Sequence, residues 1–117
     1  MTFSKYNQDD VDIIEENLEY RGFYKLYNIV HKHRRFAGDW SETLKRELVR
    51  RRSAAAILLH DPDENKVILV EQFRLGAIDG EGTPWLVELV AGIIEPGESP
   101  EAVAIREAEE EAGCQVT

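Results

Sequence analysis

The chain has 117 residues, with 14 Lys and Arg against 23 Asp and Glu and a formal net charge of −9. This length suits one domain or a small domain with an appendage, and the acidity argues against a nucleic-acid binder, whose affinity rests on basic side chains. No apolar run reaches the roughly 18 residues of a membrane span, and the single cysteine, Cys114, excludes an internal disulfide and favours a reducing compartment. We therefore expect a cytoplasmic protein that binds neither nucleic acid nor a membrane.

The first part of the chain carries strand signals. Residues 24–31 are rich in aromatic and β-branched side chains and follow Gly22, as a strand after a turn would, and residues 43–49 form a weaker strand candidate. We predict a small antiparallel β-meander over residues 1–52. A few strands alone bury too little apolar surface to be stable, so this meander should pack on another structure.

A second unit, residues 53–117, begins with short apolar runs at 54–59 and 67–73. Five residues of turn-forming type, 61–65, separate the two runs, which predicts a hairpin. A third predicted strand, residues 85–90, follows a loop that contains several glycines.

The clearest element is a helix over residues 100–112. Ser99 is a preferred N-cap residue, Pro100 suits the first helical position, and Gly113 suits the position after the last turn. Small residues recur every four positions on one face, at Ala104, Ala108 and Ala112. This face should therefore pack closely against a sheet.

The polar face of the same helix concentrates negative charge. Glu107, Glu110 and Glu111 fall within an arc of about 100°, and like charges at these spacings repel by a few tenths of a kcal/mol per pair. Arg106 is the one basic residue nearby. A hard divalent cation would relieve this repulsion, because it prefers carboxylate oxygens. Taken alone, however, an acidic run is more often a solvated helix face.

The spacing of the residues around these glutamates favours a metal site over a solvated helix face. Fixed residues at 92, 98, 106, 107, 110, 111 and 113 resemble the Nudix box, G-x5-E-x7-R-E-U-x-E-E-x-G-U, in which U is a bulky aliphatic residue. Ala108 and Cys114 replace the two aliphatic positions, and both are apolar. The resemblance identifies residues 92–114 as this box. It implies an α/β (α+β) fold, a Nudix-type α/β/α sandwich with a mixed sheet, which here would be incomplete at the C-terminus.

The same resemblance implies a role for each residue of the motif. The cation would be Mg²⁺, with Mn²⁺ as the alternative, and it would hold the diphosphate of a nucleoside diphosphate substrate. The implied metal ligands are Glu107 and Glu111, with Glu110, Glu98 and the backbone carbonyl of Ala91. The implied catalytic residues are Glu107, Glu110 and Glu111. The implied structural residues are Gly92, Gly97, Arg106 and Gly113, with Arg106 orienting a glutamate of the box.

Outside the box, residues 20–23, 70–74 and 83–92 resemble bacterial ADP-ribose pyrophosphatases of this superfamily. That resemblance implies a homodimer formed through the N-terminal region. It also implies that Arg74 contacts the substrate phosphates, that Arg46 reaches the partner subunit's site and that Phe23 stacks on adenine. The alternatives are that Phe23 belongs to the core of the meander, that Arg74 is a surface residue and that Arg46 belongs to a general basic face.

We therefore predict metal-dependent hydrolysis of ADP-ribose to AMP and ribose 5-phosphate. The alternatives are a hydrolase of GDP-mannose or another nucleotide sugar, and a non-catalytic domain that binds ADP-ribose. In this family further strands, a second helix and the general base follow the box, but only four residues follow Gly113 here. We thus expect the N-terminal portion of a longer protein, with little turnover from these 117 residues alone.

Overall fold

The computed structural model describes residues 3–117. The contacts between Cα atoms divide the chain into two compact units, one ending at Arg51 and the other beginning at Arg52. Each unit has its own sheets, and the helix belongs to the second.

The first unit is a three-stranded antiparallel sheet in the order β1-β2-β3. Its strands are β1 (Val11–Arg21), β2 (Lys25–His33) and β3 (Leu44–Arg50). The predicted strands at 24–31 and 43–49 correspond to β2 and β3. The central strand β2 holds Ile29, the one buried residue that the structure describes in this unit, at 7% exposure.

The longest strand, β1, was not predicted from the sequence. All eleven of its residues are exposed, and its pairing with β2 shifts register between Ile13 and Glu15 and again between Leu18 and Tyr20. Each irregularity of this kind changes which side chains face the same side of the sheet. The strand therefore lacks the regular alternation of apolar and polar residues by which strands are usually detected.

The second unit contains six short strands in three antiparallel pairs. Pairs form between β4 (Ala54–Ile57) and β9 (Val90–Ile93), between β5 (Leu59–Asp61) and β6 (Lys66–Ile68), and between β7 (Val70–Phe73) and β8 (Trp85–Glu88). Each of the three predicted strands is thus interrupted at a leucine, Leu58, Leu69 or Leu89, and pairs with a different strand on either side of it. The predicted hairpin exists, but only β5 and β6 form it.

The helix α1 (Pro100–Ala112) has the predicted bounds. The side chain of Ser99 accepts a hydrogen bond of 3.1 Å from the backbone N–H of Ala102, and Gly113 adopts the left-handed conformation with φ +64°. The helix contacts β9 and β4, with Val103 and Ala108 fully buried. Among residues 3–117, no helix is long and apolar enough to cross a membrane.

The core of the second unit lies between the helix and the strands. Leu59, Val90 and Ala108 form a buried cluster, and the half-buried residues packed against it are Ile57, Val70, Ala112 and Cys114. Ala108 and Cys114, the two departures from the aliphatic positions of the box, therefore still contribute apolar surface to the core. The structure confirms an α+β fold with antiparallel sheets and one C-terminal helix.

Candidate functional site

The site is built where the helix α1 crosses strand β9. Gly92 on β9 lies against the side chain of Glu107, so closely that a Cβ atom at residue 92 would overlap Oε1, Cδ and Cγ of that glutamate. Only glycine leaves room there for the carboxylate. Ala91, which precedes Gly92 on β9 and pairs with Ala56, brings its backbone to the same crossing.

Arg106 gathers three of the four box glutamates. Its Nη1 donates to Oε1 of Glu107 at 3.0 Å and to Oε2 of Glu110 at 3.4 Å, while its Nη2 donates to Glu98 at 3.3 Å. The guanidinium is well suited to this task because its donors are arranged in a rigid planar fork. One cation thus stands among three carboxylates, and the cluster keeps a net negative charge.

The loop before the helix fixes Glu98 from the other side. The backbone N–H of Glu95 donates to Oε2 of Glu98 at 3.1 Å, and this hydrogen bond, followed by the contact with Arg106, lowers the pKa of Glu98 below its usual value. The same contact with Glu98 raises the pKa of Arg106, with smaller contributions from the charges of Glu110 and Glu107. Gly97, at φ +87°, allows the turn that brings Glu98 back towards the helix.

Arg74 lies at the end of β7 and pairs with Glu88 on the adjacent strand β8. Its Nε donates to both carboxylate oxygens of Glu88 at 2.9 Å, and its Nη2 donates to Oε1 at 2.7 Å. This pairing is the main cause of a raised pKa of Arg74, and the charges of Glu88 and then Glu111 add to it.

Arg46 and Phe23 lie in the first unit. Arg46 is an exposed residue of β3, and its Nη1 donates to the backbone carbonyl of Lys45 at 2.9 Å. Phe23 lies in the turn between β1 and β2, is 77% exposed, and meets the ring of Tyr24 edge-on at 5.1 Å. Phe23 is therefore not part of a buried meander core.

The donor set of the helix face suits a hard cation. Carboxylates and a backbone carbonyl are the ligands that Mg²⁺ and Mn²⁺ prefer. Within residues 3–117, no three His, Cys, Asp or Glu side chains already converge on one point as a preformed metal shell. Three of the glutamates converge on Arg106 instead, so the carboxylates are held together by a cation of the chain itself.

Glu88 is a residue of this region for which the sequence alone indicates no role. Val70 pairs with Glu88 across β7 and β8, and alternate residues of a strand share a face, so Arg74 and Glu88 point to the same side of the sheet. The register places the two residues on one face but at opposite ends of the strand pair, because Glu88 lies opposite Val70 and Arg74 follows Phe73, which lies opposite Trp85. Neither the register nor the separation of fourteen residues along the sequence therefore reveals the contact.

Three relatives align with this chain over most of its length, and a family model matches its second unit. The model describes a NUDIX domain and matches residues 49–117. An ADP-ribose pyrophosphatase of Haemophilus influenzae is 48% identical over 114 residues, and one of Escherichia coli is 48% identical over 111 residues; each comparison covers 95% of this chain. A GDP-mannose pyrophosphatase of Cronobacter sakazakii is 32% identical over 92% of this chain.

Each of these relatives is longer than this chain. The aligned residues make up 52% of the Haemophilus protein, 53% of the Escherichia protein and 56% of the Cronobacter protein. The chain thus spans about half the length of the curated relatives it matches.

Proposed function

Since this chain belongs to the NUDIX family, we propose that the intact protein hydrolyses ADP-ribose to AMP and ribose 5-phosphate with the help of a divalent cation. The observation that carries the choice of substrate is the 48% identity to two bacterial ADP-ribose pyrophosphatases over nearly the whole chain. The cluster of box glutamates around Arg106 supports the choice of a hydrolase.

The glutamates of α1 and its preceding loop are the proposed ligands of Mg²⁺ or Mn²⁺. Glu107, Glu110 and Glu111 would hold the cation, with Glu98 and the backbone carbonyl of Ala91 completing the set. When bound, such a cation neutralises diphosphate oxygens and lowers the pKa of water. A cation of this kind also lets an acidic surface accept an anionic substrate.

Three further residues would bind the substrate or position the glutamates. Arg74 is proposed to bind the substrate phosphates, because its planar guanidinium matches the geometry of phosphate oxygens. Arg106 keeps Glu98, Glu107 and Glu110 together against their mutual repulsion. Gly92 keeps the backbone under Glu107 free of side-chain atoms. Of the proposed catalytic residues Glu107, Glu110 and Glu111, the first two are thus held in place by Arg106 before any cation binds.

The second candidate is a GDP-mannose hydrolase. It is favoured by the 32% identity to a GDP-mannose pyrophosphatase over 92% of the chain. A non-catalytic domain that binds ADP-ribose is a weaker candidate, because a domain that only binds has no need for crowded carboxylates that repel one another.

The first unit supports a homodimer. Its sheet leaves large apolar side chains exposed along one strand: Val11, Ile13, Ile14, Leu18 and Tyr20. Burying such side chains against a second copy would remove apolar surface from water. In that dimer, Arg46 is proposed to reach the partner subunit's site, and Phe23 is proposed to stack on the adenine ring of the substrate. The single cysteine supports a location in the cytoplasm.

The proposal is tested by measuring product release by the intact protein. We expect AMP and ribose 5-phosphate from ADP-ribose with Mg²⁺, and no product after removal of the metal with EDTA. GDP-mannose is the competing substrate in the same assay, and a higher kcat/KM for it would favour the second candidate. Binding of ADP-ribose without product at any metal concentration would contradict an enzyme altogether. Light scattering tests the dimer.

A further inference from the structure

We infer that Glu88 is a positioning residue, which holds the guanidinium of Arg74 in the orientation that receives a substrate phosphate. This inference rests on the proposed function and adds a residue to it. Its basis is the bidentate contact between Glu88 and Arg74, in which both carboxylate oxygens are used.

The contact uses only one side of the guanidinium. Glu88 accepts from Nε and Nη2, and within residues 3–117 Nη1 of Arg74 donates no hydrogen bond. The Nη1 group and the second hydrogen of Nη2 therefore remain available for another anion. A guanidinium has five donors in a fixed plane, so holding one edge also fixes the direction of the other.

The strands make this orientation specific. Glu88, the last residue of β8, lies opposite Val70, and Arg74 directly follows β7 at the other end of the strand pair. Both side chains start from a paired backbone and extend towards each other along one face of the sheet. The backbone N–H of Arg74 also donates to the carbonyl of Pro84 at 2.7 Å, which extends the pairing beyond β7. The charge of Glu111, one of the proposed metal ligands, also contributes to the raised pKa of Arg74.

The energetic role of the pair also favours positioning over stability. The side chain of Arg74 is 46% exposed and that of Glu88 is 25% exposed. Ion pairs that are partly exposed contribute at most modestly to the free energy of unfolding, even when the contact is bidentate. An arginine that is already ordered, however, loses less conformational entropy when it binds a phosphate, which improves affinity for the substrate.

The test is steady-state kinetics of the intact protein on ADP-ribose with saturating Mg²⁺. Glu88→Gln should raise KM about tenfold and leave kcat within about twofold, the pattern of a lost binding interaction. Glu88→Asp, which keeps the charge on a shorter side chain, should restore part of the affinity. The matched control is Glu71→Gln, on the adjacent strand β7, where the exposed carboxylate contacts no cation of residues 3–117. Its KM should equal that of the wild type.

A double-mutant cycle shows whether Glu88 acts through Arg74. Arg74→Ala should raise KM by more than Glu88→Gln does, and adding Glu88→Gln to Arg74→Ala should have no further effect. An unchanged KM in Glu88→Gln, or full additivity of the two effects, would overturn the role of Glu88 and leave the proposed function intact. A wild type that releases no AMP from ADP-ribose would instead refute the proposed function, and this inference with it.

Discussion

The carboxylate of Glu107 lies against the backbone of Gly92, where a single additional carbon atom would overlap three atoms of the glutamate. The contact joins the first glycine of the box to one of its central glutamates, fifteen residues later in the sequence. It explains in steric terms why a glycine is needed at the position where β9 passes under the helix.

We predict that Gly92→Ala lowers kcat/KM for ADP-ribose by at least about tenfold, because the new methyl group displaces the carboxylate of Glu107. The melting temperature should fall less, since the displaced atoms belong to the end of a flexible side chain. The control is Gly76→Ala, where an added Cβ meets no atom within 4 Å. Equal losses of activity in both variants would contradict this explanation.

A second prediction concerns the two neighbouring glutamates Glu109 and Glu111. Glu111→Gln should lower kcat by about 100-fold or more, because it removes a charged oxygen from the proposed metal site. Glu109→Gln makes the same chemical change on the same helix, at an exposed position that the box leaves free. It should retain nearly full activity. If kcat is unchanged in Glu111→Gln, the assignment of Glu111 to the site is wrong.

Replacing Arg106 by Gln should destabilise the second unit. Glu98, Glu107 and Glu110 would lose their shared cation and repel one another. Because salt screens interactions between exposed charges, the loss in the free energy of unfolding should shrink as NaCl is increased. Urea unfolding of the wild type and the variant at low and high salt measures this loss. A loss that is independent of salt would indicate a packing role for Arg106 instead.

The pair of Arg74 and Glu88 predicts a pH dependence. The hydrogen bonds from Arg74 lower the pKa of Glu88 in the folded state below its usual value of 4.5. The contribution of the pair to stability is therefore present above that value and is lost as the pH falls through the lower, folded-state pKa. The wild type should be more stable than Glu88→Gln at neutral pH, and the difference should vanish in acid. A difference that grows as the pH falls would contradict the pairing.

The cap of the helix gives a prediction about stability alone. Ser99→Ala removes the acceptor for the backbone N–H of Ala102 and should cost about 1 kcal/mol in the free energy of unfolding. Ser99→Asp keeps an acceptor and adds a negative charge at the positive end of the helix, so it should retain most of the stability. Urea unfolding of the three proteins measures both effects, and equal losses in both variants would exclude a capping role.

The features that depend on neighbouring residues could be predicted from the sequence. The helix has its predicted ends because Ser99, Pro100 and Gly113 act within one turn of them. The strands β2 and β3 could be predicted for a similar reason, because the signal for each is the composition of a few consecutive residues. The spacing of the box likewise identified the family, because the glutamates lie on one helix and its preceding loop.

The pairing of residues that are distant in the sequence depends on the packing of the whole second unit. Each predicted strand changes its partner at a leucine, at Leu58, Leu69 or Leu89. These interruptions cannot be recognised from the sequence, because a leucine within an apolar run looks like its neighbours. The strand β1 could not be predicted because its bulges disturb the alternation of apolar and polar side chains. The contact of Glu88 with Arg74 and that of Gly92 with Glu107 depend on strand register and on the packing of helix on sheet. Both are set by the burial of a shared core, to which residues distant in the sequence contribute together.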